Sequence, residues 1–425
     1  MRTIAFKTFG CKANSLETDA LLAEARKRGF LVVPDTVVAD AYVINSCTVT
    51  HGADRDARNY IGRYKRLNPQ ALVGVVGCYA QVSKDELLST RSVDFIVGTA
   101  NKLHILDLVE HNFGSPLSER DFVEPAHGFL PEKFPGSRHS RAVVKIQDGC
   151  NFSCSYCIIP KARGRSRSLP PDVVVRQILD AHEQGFQEVV LTAIHLGHYG
   201  WDNGCTLVSL LRRIFAKDDG PRIRLSTLDP FEIDDELIDM VATEKRLCPH
   251  FHIALQSGND QTLKKMRRTY KAQDFNSVTT KIFEHCPDAF VGVDVLVGFP
   301  GEGSAQFQDT VQCLKDSFWS KLHVFPFSPR KGTMAETMPD RASSLDVTER
   351  RSQLLELSQQ RYQHFLKSQT GKQRNVLIEK PSRIGGFFGR AENYAPIYLK
   401  GTGKENPRTI VGRVVQRFQE GKLWA

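Results

Sequence analysis

No apolar run in the 425 residues is long enough to cross a bilayer. The opening residues, Met1-Arg2-Thr3-Ile4-Ala5-Phe6-Lys7, read as a strand and lack the apolar stretch of a signal peptide. Both absences point to a cytoplasmic protein. Disulfides are scarce there, so the ten cysteines read as metal ligands or buried thiols. The composition also lacks the bias of a disordered chain: 41% hydrophobic and 25% charged residues are those of a folded protein, and the length suits two or three domains. Acid is in short supply. Lys and Arg number 57 against 48 Asp and Glu, a net charge of +9, which favours a polyanionic partner such as nucleic acid.

Asp148-Gly149-Cys150-Asn151-Phe152-Ser153-Cys154-Ser155-Tyr156-Cys157 sets three cysteines in a C-x₃-C-x₂-C array after a β-like run, Ala142–Ile146. Thiolates this close diverge on a helix or strand, whereas a tight loop lets them converge. Zinc motifs come as two C-x₂-C-like halves, and no second half follows. Iron–sulfur cubes take four thiolates. Three leave one iron open to a small chelating ligand.

The other cysteines sort by position. Residues 1 to about 100 alternate strands and helices, as in a doubly wound sheet. The strands are expected at Thr3–Thr8, Phe30–Val33, Ala41–Ile44, Ala71–Val76 and Asp94–Val97, and the helices at Ser15–Gly29, Ala53–Arg66 and Ser83–Ser89. Cys11, Cys47 and Cys78 each lie just past a strand, at a repeat of about 30 residues. Ligands bind at the carboxyl ends of such strands, so these three thiols point to a second cluster, again with one iron unclaimed. Cys205, Cys248, Cys286 and Cys313 show no ligand spacing and read as structural. The helix carrying Arg55, Arg58, Arg63, Lys65 and Arg66 has two readings, an RNA-facing surface and a solvated face.

A Pro-, Gly- and charge-rich stretch from about 101 to 140 reads as a loose connection (Pro116, Pro125, Gly128, Pro131, Pro135, Gly136). Strand–helix alternation then returns, with strands expected at Ala142–Ile146, Glu188–Thr192, Arg222–Ser226, His250–Leu255, Phe290–Val297 and Leu322–Phe327. Six β/α units make an open partial barrel with its site at the strand C-termini. Polar or glycine-rich strand ends share that mouth: Thr192 with His195 and His198, Leu228-Asp229-Pro230, Gln256-Ser257-Gly258, Gly298-Phe299-Pro300-Gly301-Glu302 and Ser328-Pro329-Arg330. Lys161, Arg163, Arg165 and Arg167 stand beside the cysteine loop, where phosphates of a substrate would explain them. Leu345–Lys367 is a long charged helix. Short β-like runs from about 371 to 425, basic and with interleaved aromatics, read as a small RNA-binding β-barrel.

The cysteine loop, with Tyr156 before its last cysteine, resembles the signature of the radical S-adenosylmethionine (SAM) enzymes. The order of a three-cysteine α/β domain, this barrel and a basic β domain is similar to the methylthiotransferase family over essentially the whole chain. Thr8-Phe9-Gly10-Cys11-Lys12, Asn45-Ser46-Cys47-Thr48-Val49-Thr50-His51-Gly52-Ala53-Asp54, Val76-Gly77-Cys78-Tyr79-Ala80-Gln81 and Cys157-Ile158-Ile159-Pro160 resemble its MtaB-type branch. Lys161, Asp229 and Lys331 depart from the usual pattern of that branch.

The resemblance implies an α/β fold in named parts: an N-terminal doubly wound parallel α/β domain at 1–120 with a second 4Fe–4S cluster, a linker at 121–140, a partial (β/α)6 radical-SAM barrel at 141–368 and a TRAM-like β domain at 369–425. It implies an enzyme that adds a methylthio group to carbon 2 of N6-threonylcarbamoyladenosine at tRNA position 37. Cys150, Cys154 and Cys157 would hold the SAM-binding 4Fe–4S cluster, and Cys11, Cys47 and Cys78 the other. Tyr156, Thr192, Gln256, Ser257, Gly298, Glu302 and Arg330 would contact SAM. The partners implied are tRNA and an electron donor such as flavodoxin or ferredoxin, with no membrane. Alternatives are a methylthiotransferase for isopentenyladenosine or for a ribosomal-protein aspartate, and a non-catalytic iron–sulfur RNA-binding protein.

Overall fold

Each helix in the first hundred residues returns the chain to a strand pointing the same way, so the N-terminal sheet is parallel throughout. The computed structural model describes residues 2–90, 92–113, 122–123, 131, 133–401 and 406–425. Its contacts divide the chain into two units. One holds residues 1–138, 147–169 and 328–336, and the other holds 139–146, 170–327 and 337–425.

In the first unit the order is β1 (Thr3–Thr8), α1 (Lys12–Lys27), β2 (Leu31–Val33), β3 (Ala41–Ser46), α2 (His51–Leu67), β4 (Leu72–Gly77), α3 (Cys78–Val82), α4 (Lys84–Ser89), β5 (Phe95–Val97), α5 (His104–His111) and β6 (Phe122–Val123). The sheet runs β2-β1-β3-β4-β5-β6. Successive residues of a strand face opposite sides, and β3 uses both. Val43 packs with Leu21 and Leu22 of α1 and Ile105 and Val109 of α5, whereas Tyr42 and Ile44 pack with Ala57, Ile61 and Tyr64 of α2. A sheet buried on both faces is the doubly wound arrangement expected.

Two differences stand out here. The stretch from 101, read as a loose connection, begins with α5, whose Ile105, Leu106, Leu108 and Val109 are all buried. An apolar i, i+3, i+4 pattern outweighed the surrounding prolines. Nine of the twenty residues of the expected linker at 121–140 lie outside the described residues, as do Pro116, Pro125 and Gly128. Where it is described, β6 pairs in parallel with β5. Helix α1 starts at Lys12, ahead of the expected Ser15, and α3 at Cys78 is an additional helix before the expected Ser83–Ser89, which is α4. The end of β7 (Ala142–Asp148), α6 (Ile159–Arg163) and β8 (Arg167–Ser168) belong to this unit too.

The second unit continues with α7 (Pro171–Glu183), β9 (Glu188–Ala193), α8 (Leu207–Phe215), β10 (Arg222–Leu225), β11 (Thr227–Leu228), α9 (Asp235–Thr243), β12 (His250–Gln256), α10 (Asp260–Lys265), α11 (Ala272–His285), β13 (Phe290–Val297), α12 (Ser304–Lys315), β14 (Lys321–Pro326) and α13 (Ser344–Lys367). The six expected strand positions are all occupied. The third is divided at Ser226: β10 pairs with β9, and β11 pairs with β12. The division leaves two sheets, β10-β9-β7-β8 with β8 antiparallel at its edge and the parallel β11-β12-β13-β14, rather than one continuous ladder. Helix α13 packs along β14 and β13.

Six short strands close the chain: β15 (Gln373–Pro381), β16 (Phe387–Arg390), β17 (Pro396–Leu399), β18 (Ile410–Val414), β19 (Arg417–Gln419) and β20 (Lys422–Trp424). They form a small curled sheet in the order β18-β15-β16-β17-β20-β19, over a core of Phe290, Phe365, Leu366, Val376, Ile378, Ile397 and Leu423. Strand β20 adds a parallel partner for β17.

Candidate functional site

Strand register brings the first three cysteines together. Thr8 pairs with Asn45, Asn45 with Val76 and Ser46 with Gly77, so β1, β3 and β4 stop at one level. Cys11, Cys47 and Cys78 are the next residues to turn off that edge. Gly10 and Gly77 make the turns, each at φ +100°. That region disfavours residues with a Cβ. There is no room for one either: at Gly10 it would lie 2.6 Å from Cys47 Cβ and 2.9 Å from Cys47 Sγ, and at Gly77 it would lie 2.6 Å from the Ser46 carbonyl oxygen. Cys11 is the N-cap of α1.

The three thiols sense one another. Burial pushes Cys47 up to about 11, and Cys78 and Cys11 add to the shift. Burial raises Cys78 too, against the pull of Arg163 and Lys102. Cys47 and Cys78 are buried and Cys11 is exposed, and three thiols converging at one sheet edge are a donor set suited to a metal cluster. The glycines let the backbone turn close against Cys47 and Ser46.

The second triad sits on a closed loop in the same unit. Gly149, at φ +72°, turns off β7, and a Cβ there would strike the Arg165 carbonyl oxygen at 2.1 Å. Cys150 N–H donates to Gly164 O at 3.1 Å and Cys157 N–H to Cys154 O at 3.1 Å. Gln147 Nε2 donates to Gly149 O (2.8 Å) and to Ser166 Oγ (2.8 Å). Cys150, Cys154 and Cys157 are half-buried, none of the ten cysteines forms a disulfide, and Tyr156 is half-buried.

An ion network the sequence did not suggest ties the two loops. The Arg163 side chain is wholly buried. It donates to Glu17 Oε1 at 2.9 Å, to Asn14 Oδ1 at 2.6 Å and to both Asp148 oxygens at 3.1 and 3.2 Å. Lys102, equally buried, donates to Glu17 Oε2 at 2.5 Å and Asn45 Oδ1 at 2.8 Å. Asn14 and Glu17 follow Cys11, and Asp148 precedes Cys150. Their one sequence signal was a pair of polar residues three apart on the buried face of α1. Arg163 is therefore no surface cation. Arg167 also turns inward, to Asp148. Lys161 and Arg165 stay exposed, beside a cleft of about 410 Å³ that Gln81 and Thr99 also line.

The expected SAM contacts separate by unit. Arg330 lies in the first, buried, bonded to Asp54 and to Thr48 Oγ1. Thr192, Gln256, Ser257, Gly298 and Glu302 lie in the second. Thr192 is buried at the end of β9. Gln256 sits at φ +62°, at a register shift between β12 and β13. Ser257 Oγ meets Thr310 Oγ1 at 3.2 Å. A Cβ on Gly298 would lie 2.5 Å from Val347 Cγ2. Glu302, pushed up by burial, accepts from Gly298 N–H at 2.6 Å and Arg350 at 3.1 Å.

In the same unit His195, His198 and Glu232 place three ligand atoms within 4.8 Å of one another, the one such group among the described residues. His195 Nε2 and Glu232 Oε1 are only 2.5 Å apart. At that separation the two groups are hydrogen-bonded to each other.

Residues 3–98 match the model of an uncharacterized protein family, UPF0004, and residues 144–314 match the radical SAM superfamily. The threonylcarbamoyladenosine tRNA methylthiotransferase MtaB of Aquifex aeolicus is 37% identical over 94% of this chain and 97% of its own. The MtaB of Bacillus subtilis is 34% identical over 98% and 93%. A tRNA-2-methylthio-N(6)-dimethylallyladenosine synthase of Syntrophotalea carbinolica is 31% identical over 98% and 96%. Among solved structures, the radical SAM methyltransferase TsrM of Kitasatospora setae superposes with a TM-score of 0.53 at 17% identity, covering 76% of this chain and 73% of that one. At that identity the likeness concerns the fold alone.

Proposed function

The chain belongs to the MtaB-type branch of the radical-SAM methylthiotransferase family, and from that premise we propose that it places a methylthio group on carbon 2 of N6-threonylcarbamoyladenosine at position 37 of tRNA. It is a radical-SAM enzyme and, as such, uses SAM and a 4Fe–4S cluster. The reading goes further on residues. Cys150, Cys154 and Cys157 hold that cluster, and Cys11, Cys47 and Cys78 hold a second. Together with SAM these groups, when bound, supply a radical able to take hydrogen from an unactivated C–H bond and the sulfur that replaces it.

The observation that carries the reading is that both cysteine triads lie in one compact unit, joined through Arg163. The glycine turns aim the sulfurs, and the Arg163–Glu17–Asp148 network holds the two loops in fixed register, as a transfer between neighbouring groups requires. Lys161 and Arg165 at the cleft suit a phosphate of the RNA, and the basic C-terminal sheet suits RNA as a TRAM-like module. Cytoplasmic location and a flavodoxin- or ferredoxin-type electron donor complete the proposal. No helix among the described residues is long and apolar enough to cross a membrane.

Nucleoside mass spectrometry of tRNA, paired with assay of 5′-deoxyadenosine, tests it. Cys150→Ala should lose both SAM cleavage and thiolation. Cys47→Ala should keep SAM cleavage and lose thiolation. A Cys47→Ala protein that still thiolates tRNA would refute the two-cluster assignment. Thiolated dimethylallyladenosine as the product would move the chain to the sister activity.

A further inference from the structure

Trp201 is one of three tryptophans and is 60% exposed. The backbone puts it there. After β9 the chain makes a short 3-10 turn, Leu196–His198, and Tyr199 is fully buried. Gly200 then adopts φ +86°, where a Cβ would strike the Cys205 carbonyl oxygen at 2.3 Å. The N–H groups of Asn203 and Cys205 both donate back to Gly200 O at 3.0 Å. The loop is closed on itself and carries the indole at its tip. A ring of this size is ordinarily mostly covered, so its exposure costs stability that a bound partner would recover.

The indole is also held at a set pitch. The rings of His195 and His198 stack with centroids 3.8 Å apart and planes 6° apart, and those of His198 and Trp201 with centroids 3.7 Å and planes 24° apart. The inner end is pinned, because His195 meets Glu232 Oε1 at 2.5 Å and Glu232 Oε2 accepts from Asp229 N–H at 2.9 Å. Three rings at stacking distance leave the outer indole face as a fourth place in the ladder. The loop follows the C-terminal end of a parallel strand, the end at which such barrels bind their substrates. Unpaired RNA bases are recognised by stacking on rigid aromatic faces of this kind.

We propose that Trp201 is a stacking platform for an unpaired nucleobase of the tRNA anticodon loop. The proposal rests on the tRNA reading above and adds a contact to it. Stacking needs no charge, so the contribution of Trp201 to affinity is separable from that of the cations by its indifference to salt.

The test uses the reconstituted protein and a synthetic anticodon stem-loop carrying N6-threonylcarbamoyladenosine at position 37. Trp201→Ala should bind it about 5- to 150-fold more weakly, the span found when single stacked bases lose their aromatic partner, with the slope of log K against log salt unchanged. Trp201→Phe, which keeps a ring, should bind within about threefold of the wild type. Tryptophan emission of the wild type should be quenched by the RNA, and that quench should be smaller in Trp201→Phe. Matching circular dichroism and iron content show that the variants are folded. Wild-type affinity in Trp201→Ala, or a quench as large in Trp201→Phe as in the wild type, overturns the platform while leaving the tRNA reading intact. A loss of SAM binding without RNA in Trp201→Ala would seat the adenine of SAM on the ring and overturn it as well. Failure of the wild-type protein to bind the RNA would sink the tRNA reading and the platform with it.

Discussion

Arg163 shows how far one residue can stray from what its neighbours suggest. In the sequence it is one of four cations at alternating positions, 161, 163, 165 and 167, and that spacing reads as a single basic face. Helix α6 ends at Arg163 and Gly164 turns the chain at φ +73°, so the alternation is broken and the side chains part. Arg163 goes inside to meet Glu17, Asp148 and Asn14. Removing one partner of a buried ion network costs about 3–5 kcal/mol, because the charges left behind have no water. Arg163→Ala should therefore lower the unfolding free energy of the apo protein by about that amount in urea titrations. Arg163→Lys should recover only part of it, since an ammonium cannot fork between Glu17 and Asp148. A loss of about 0.5 kcal/mol or less, the usual result at a surface arginine, would mean the network is not formed.

Elements were more legible than residues, for a physical reason. Period-2 and period-3.6 patterns report which face is buried, so five N-terminal strands and six barrel strands were foreseen close to their observed bounds. What went unseen depends on chain that is distant in sequence. The break of the third barrel strand at Ser226 reflects two different neighbours, β9 and β12. The helix α5 was hidden by prolines that follow it. The positions of the cysteines past strand ends could be read directly, whereas the shared level of those ends is a matter of register, which only pairing fixes. The glycines before Cys11, Cys78 and Cys150 are the device that converts a strand end into a ligand loop. Gly10→Ala forces a Cβ onto Cys47 at a φ that alanine resists. It should cut reconstituted iron from about eight to about four per chain, taking a full cube as four irons, and should stop thiolation while SAM cleavage continues. Gly149→Ala should instead remove SAM cleavage. If Gly10→Ala kept its full iron content, the left-handed turn would have no part in seating the N-terminal sulfurs.

On the scale of the whole molecule, the C-terminal sheet is fastened to the parallel strands of its own unit by charge as well as by apolar packing. Glu188, with no exposed surface, accepts from Arg222 at 2.6 Å and Arg224 at 2.7 Å. Those two arginines also donate to the carbonyls of Asn375, Arg390, Ala391 and Glu392 in the sheet and its turn. Burial alone would raise the Glu188 carboxyl, but Arg224 and Arg222 overcome it and hold it at about 2, against an ordinary value of 4.5. A depressed carboxyl contributes stability that is fully present above its unfolded value and fades as pH falls through the folded one. The contribution is on the order of 3 kcal/mol, present from neutral pH down to about 4.5 and lost towards about pH 2. Glu188→Gln removes the charge at every pH and leaves two buried guanidinium groups uncompensated. Its unfolding free energy at pH 7 should fall by about 3–5 kcal/mol. Its remaining stability should decline less steeply than that of the wild type between pH 4.5 and 2, since the titrating group is gone. Urea melts of the two proteins across that range give the difference directly. Equal stability at pH 7, or parallel acid limbs, would mean that apolar burial alone keeps the basic sheet on the strands beneath it.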